Sequence, residues 1–150
     1  MQVVPLSEVP HHLDAVAQWV WDEWRGSHSS QTFEEVRSIL QGRATAPPTL
    51  IALDGAVPVG VLGFRRVMFR GREPLLLWIN ALFVVETHRD RGVGTALLYD
   101  ALGRVGPEDA AVYVYAAIRG WYQARNFVMV EAEGDTGNAV LRASRPFPTS

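Results

Sequence analysis

The run from Leu75 to Val85 is apolar except for Asn80, and it is bounded by Pro74 and Glu86. A segment this short and this apolar fits a strand buried on both faces or a core helix, and Phe83, Val84 and Val85 favour the strand. Immediately after it comes Arg89-Asp90-Arg91-Gly92-Val93-Gly94-Thr95. Val93, Leu97, Ala101 and Val105 then recur every fourth residue, with Leu98 and Leu102 beside them, as one face of a helix. Strand, glycine turn and helix therefore follow one another directly, and the rest of the chain has to pack around that unit.

The chemistry of the turn is that of an anion site. Two glycines allow close approach to the backbone, the helix start contributes unpaired N–H groups and partial positive charge, and Arg89 and Arg91 add full charges. A glycine pair alone also suits a tight turn with exposed arginines, so its surroundings decide. A P-loop requires Gly-Lys-Ser/Thr, and the chain contains no lysine. A dinucleotide fingerprint needs a third glycine where Leu97 stands and an acidic residue closing the next strand, where Tyr113 to Ala117 offers none.

Arg89, Gly92 and Gly94 match Arg/Gln-x-x-Gly-x-Gly/Ala, and Tyr122 is followed five residues later by Phe127. In this the chain resembles the GCN5-related N-acetyltransferases, the GNAT family, over Leu75 to Val130. The family's usual glycine before that Phe is Asn126 here, a residue that tolerates a left-handed backbone.

Composition narrows the alternatives. With 150 residues the chain is expected to form one domain, residues 1–150, with a sufficient core. Cysteine is absent, so disulfides, thiolate nucleophiles and zinc–cysteine sites are excluded, and the four histidines have no metal-ligand spacing. A net charge of −2 argues against a nucleic-acid partner. The N-terminal residues do not read as a signal peptide and no stretch is long and apolar enough to span a bilayer, so the expectation is a cytoplasmic protein without a membrane partner.

Along the chain, Gln2 to Pro5 reads as a short strand. Leu13, Val16, Ala17, Val20, Trp21 and Trp24 form one face of a first helix, and Thr32 with Glu35 makes a capping box for a second one carrying Phe33, Val36, Ile39 and Leu40. Thr49 to Leu53 and Val57 to Phe69 form a hairpin through Asp54-Gly55, with Gly60 and Gly63 signalling a bend or bulge. Ala111 to Tyr115 is a strand parallel to the central one, a short helix from about Ala117 to Arg125 holds Tyr122, and Phe127 to Glu133 pairs with Ala139 to Arg145.

The resemblance implies an α/β fold (α+β by some schemes): a mixed sheet of about seven strands with helices on both faces, whose central parallel strands splay around acetyl-CoA. It implies that the exposed edge at Leu82, Phe83 and Val84 pairs with pantetheine amides, and that Arg89, Asp90, Arg91, Gly92, Val93, Gly94 and Thr95 hold the pyrophosphate. Tyr122 takes the position of the general acid, a phenol with an ordinary pKa of ~10 beside a departing thiolate. The carboxylate that many members place in the central strand as base is missing. Asn80 orients a water or simply bonds backbone; Glu86 and His88 serve the reaction or belong to a solvated turn. By analogy Trp24 and His28, at and after the end of the first helix, border the acceptor slot. The expected activity is acetyl transfer to a primary amine, on a small molecule or peptide, by direct attack in a ternary complex without a metal. The alternative is a catalytically weak acyl-CoA-binding or regulatory module, and either is compatible with a homodimer.

Overall fold

A computed structural model describes residues 1–26, 30–134 and 137–149. Its strands and helices run β1 (Gln2–Pro5), α1 (Leu13–Arg25), α2 (Phe33–Gln41), β2 (Leu50–Asp54), β3 (Val57–Phe69), β4 (Arg72–Val84), α3 (Val93–Gly103), β5 (Ala111–Ala116), α4 (Arg119–Gln123), β6 (Val128–Ala132) and β7 (Ala139–Ser144). Short 3₁₀ turns precede α1 and α3. All seven strands join one sheet in the order β1-β2-β3-β4-β5-β7-β6, antiparallel except between β4 and β5.

Local signals in the sequence account for most of these boundaries. Thr32 accepts from the Glu35 backbone N–H while the Glu35 side chain accepts from that of Thr32, which starts α2. Arg70 and Gly71 both have positive φ, as a tight turn between the long strands β3 and β4 requires. Asn126 likewise has φ +67, so it supplies the left-handed residue expected in place of glycine.

Two cores lie on opposite faces. One packs Val93, Leu97, Leu98, Ala101 and Leu102 of α3, together with Tyr122, against Leu62, Leu77, Ile79, Val112, Val114 and Leu141. The other packs Val16, Val20, Val36 and Leu40 of α1 and α2 against Ile51, Val61 and Ala81.

β4 is not the strand buried on both faces that its run of apolar residues suggests. From Leu76 its first half alternates: Leu77 and Ile79 are buried under α3, Leu76 and Trp78 are half-buried on the other face, and Leu75 before them is 57% exposed. Then the register against β3 slips, Phe64 pairing with Ile79 but Gly63 with Ala81, so that Asn80 is the extra residue of a β-bulge. The slip reverses which residues face which core. Ala81 and Phe83 pack with α1 and α2, while Leu82 and Val84 turn to the α3 side. The bulge thus decides that the even-numbered end of β4 meets the glycine turn.

Candidate functional site

β4 and β5 are paired only at Trp78↔Tyr113 and Ile79↔Val114. Beyond this point β4 continues to Val84 while β5 ends at Ala116, so the strands fork at Asn80. On the α3 side the fork opens into a cavity of about 560 Å³. Leu82 and Val84 of β4 form one wall, the loop and helix start (His88, Arg89, Asp90, Gly92, Val93, Gly94, Thr95) the floor, and Ile118, Trp121 and Arg125 the opposite wall.

The floor has the geometry of an anion site. Gly92 caps α3 in the left-handed conformation (φ +81, ψ +8), preceded by Asp90 at φ +60. No side chain among the described residues caps the helix, and its first backbone hydrogen bond runs from the Ala96 N–H to the Gly92 carbonyl. Among the described residues the N–H groups of Val93, Gly94 and Thr95 have no backbone partner and point the helix start at the cavity. At Gly94 a Cβ would lie 3.4 Å from the Trp121 ring and 3.8 Å from Val84, so the glycine lets three elements converge.

Charged side chains brace this frame. The Arg89 Nε–H donates to the Val84 carbonyl at 2.9 Å and its guanidinium lies 5.4 Å from the Phe83 ring, whose other neighbour is Trp19 of α1 at 5.9 Å. Arg91 is exposed and does not line the cavity. Arg125, which sequence reasoning missed, stacks 3.9 Å over Trp121 and donates to Thr95 Oγ1 at 3.1 and 2.9 Å and to the Trp121 carbonyl at 2.8 Å. It ties α4 to the start of α3. Ile118 and Trp121 were missed as well; the available signal was the aromatic pair Trp121-Tyr122, which periodicity could not orient. His88 Nε2 sits 2.9 Å from Asp54 Oδ2, a hydrogen bond that holds the Asp54 carboxyl below the usual carboxylate range.

Tyr122 is 4% exposed, edge-on to Trp121 (4.9 Å) and Phe127 (5.2 Å), and is not among the residues lining the cavity. Burial pushes its phenol well above the ordinary value, since an anionic oxygen there would lose its hydration. Asn80, at the fork, carries a buried Nδ2 with no hydrogen-bond partner among the described residues. Glu86 is exposed in the 3₁₀ turn after β4 and does not line the cavity. Trp24 packs, half-buried, on the α1–α2 core, and His28 lies outside the described residues. No group of three metal-ligating side chains occurs among the described residues. Among them, too, no helix is long and apolar enough to cross a membrane.

A family model described as Acetyltransferase (GNAT) family matches residues 13–128, which include α1, α2, the fork and the glycine turn. The chain belongs to the GNAT acetyltransferases. Among solved structures, an aminoglycoside 6'-N-acetyltransferase complexed with coenzyme A aligns with a TM-score of 0.73 at 13% identity, covering 96% of this chain and 97% of that one. NAA60 of Arabidopsis thaliana in complex with a bisubstrate analogue aligns at 0.71 with 20% identity, covering 95% and 97%. The NatC complex bound to Gag peptide and CoA aligns at 0.69 with 18% identity, covering 100% of each chain. At such identities these likenesses establish the GNAT fold. No curated protein matches the sequence.

Proposed function

We propose that this GNAT protein is an acetyl-CoA-dependent N-acetyltransferase in which a primary amine attacks the thioester directly within a ternary complex. One observation carries the proposal: the β4–β5 fork opens straight onto three uncapped N–H groups at the start of α3. An extended pantetheine-like chain can pair with the β4 edge beyond the fork, through backbone groups of Leu82, Phe83 and Val84, as an added strand would. The N–H groups from Gly92 to Thr95 then receive the pyrophosphate, with Asp90 and Arg91 shaping the turn, Arg89 supplying charge at the floor and Arg125 at the opposite wall. The residues present fit the group, because Gly92 supplies the left-handed turn and the lack of a side chain at Gly94 leaves space beside Trp121 and Val84.

The bound cofactor supplies an activated acetyl group; the chain positions the partners and manages charge. A backbone N–H of β4 beside the bulge polarises the thioester carbonyl. Tyr122 serves as the proton source for the departing thiolate, and its raised pKa means that it stays protonated at every working pH but gives the proton up reluctantly. Asn80 is placed to orient a water at the fork, and Glu86, exposed beyond the strand, remains the nearest carboxylate in sequence to serve as base.

The decisive experiment is a pair of measurements: calorimetric binding of CoA, and release of free CoA thiol from acetyl-CoA across a library of primary amines and peptides. Binding with turnover supports the enzyme. Binding without turnover on any amine supports the second reading, an acyl-CoA-binding module, which the absence of a carboxylate between Trp78 and Val85 favours. Absence of CoA binding would refute both.

A further inference from the structure

The face of the sheet turned away from α3 carries one row of side chains that the cofactor site does not use. Register places Arg65 of β3 opposite Trp78 of β4, Trp78 beside Tyr113 of β5, and Tyr113 opposite Arg142 of β7, so all four share that face. The two rings lie 5.3 Å apart and Arg142 lies 5.9 Å from Tyr113. Helices α1 and α2 pack near β3 and the far end of β4, and the other half of this face stays open, with Tyr115 51% exposed. Beside the row, Phe69, Trp78, Tyr115 and Val140 line a cavity of about 350 Å³.

Two features of this row ask for a ligand. Neither Arg65 nor Arg142 makes an ion pair among the described residues, whereas Arg70 and Glu131 at its margin pair with each other, and Glu133 accepts from the Tyr115 hydroxyl. Moreover, the two buried side-chain polar atoms without a partner among the described residues are Asn80 Nδ2 and Arg142 Nε. Both are donors. Asn80 stands at the fork itself, one residue past the last β4–β5 pair, and Arg142 stands in the row one step before it. A buried donor without an acceptor is costly, and a guanidinium beside an aromatic ring suits a carboxylate attached to an apolar or aromatic body.

We propose that this row is the acceptor-binding face, and that Arg142 selects amines that carry a carboxylate, such as an aromatic amino acid. The inference rests on the transferase reading, since it places the acceptor across the fork from the cofactor cavity. Arg65 supplies a second charge at the far end of the row, and Trp78 and Tyr113 hold the apolar body. A polycationic amine would meet guanidinium groups and unpaired donors instead.

The test is calorimetric binding of phenylalanine and of phenylalaninamide to the CoA-saturated protein, which needs no turnover. The wild type is expected to bind the carboxylate roughly 10- to 100-fold tighter than the amide, the worth of a charge-assisted hydrogen bond. In Arg142→Met that ratio should fall to near one, with CoA affinity retained; Arg142→Lys should restore part of it. Because Arg142→Met removes an unsatisfied donor, its melting temperature should not drop, which separates recognition from folding. Equal binding of the two ligands by the wild type, absence of binding by either, or an unchanged ratio in Arg142→Met, would overturn the inference. Turnover without any such preference leaves the transferase standing and removes only this specificity; carboxylate binding without turnover on any amine does the reverse.

Discussion

Replacing Gly94 by valine isolates the backbone approach on which the cofactor site depends. Gly94 is the second residue of α3 and its φ is not positive, so an L side chain costs nothing in backbone conformation and the fold should survive. The new Cβ falls 3.4 Å from Trp121 and 3.8 Å from Val84, in ordinary contact, but the two γ-carbons must project past it into the cavity floor. They occupy the space through which a phosphate oxygen reaches the N–H groups of Gly94 and Thr95. Losing one charge-assisted hydrogen bond is worth about 1.5–3 kcal/mol, or roughly a 10- to 150-fold rise in Kd. Calorimetry with CoA measures this, and a thermal melt within a few degrees of the wild type confirms folding. Gly92→Ala makes the complementary control: nothing lies within 4 Å of its Cβ, yet φ is +81, so it should cost about 1–2 kcal/mol of stability and have a smaller direct steric effect on binding. A folded Gly94→Val variant that binds CoA as tightly as the wild type would refute the assignment of the floor.

Tyr122→Phe should retain CoA affinity and lower turnover by about 10²-fold, the low end for a general acid; unchanged turnover where chemistry limits the rate would remove Tyr122 from the reaction. Its raised pKa also makes a stability prediction. Above pH ~10 the unfolded phenol ionises while the folded one keeps its proton, so wild-type stability falls with pH by up to about 1.4 kcal/mol per unit, and Tyr122→Phe should lack this component in alkaline denaturant titrations. Arg125→Ala severs the clamp between Thr95 and Trp121, and should weaken CoA binding and lower the melting temperature together, whereas Arg91→Ala, exposed and away from the walls, should affect binding modestly and in a salt-dependent way. Asp109→Ala leaves the part-buried Arg66, bound bidentately at 2.7 Å, with the Thr45 carbonyl as its remaining hydrogen-bond partner, and should cost about 1.5–3 kcal/mol by thermal or denaturant unfolding.

Much of this protein follows from short-range chemistry that a sequence displays openly. The capping box at Thr32 and Glu35, the four-residue spacing from Val93 to Val105, the left-handed Asn126 and the crossover that makes β5 parallel to β4 each depend on neighbours within a turn or on one handedness rule, so they were legible from residue order. The glycine turn was legible for the same reason, since Gly92 needs its positive φ whatever surrounds it. Tertiary structure decided what depends on residues distant in sequence. One bulge at Asn80 sends Leu82 and Val84 to the cofactor cavity and Phe83 to the opposite core, an exchange that no reading of an apolar run can anticipate because a one-residue slip inverts every side chain beyond it. Arg125 becomes a wall of the site through Thr95, thirty positions away, and Tyr122 is buried because Phe127 and Trp121 close over it. The row Arg65–Trp78–Tyr113–Arg142 exists only across four strands in register, so its orphaned Arg142 donor and its open aromatic face belong to the sheet and to no segment of the chain.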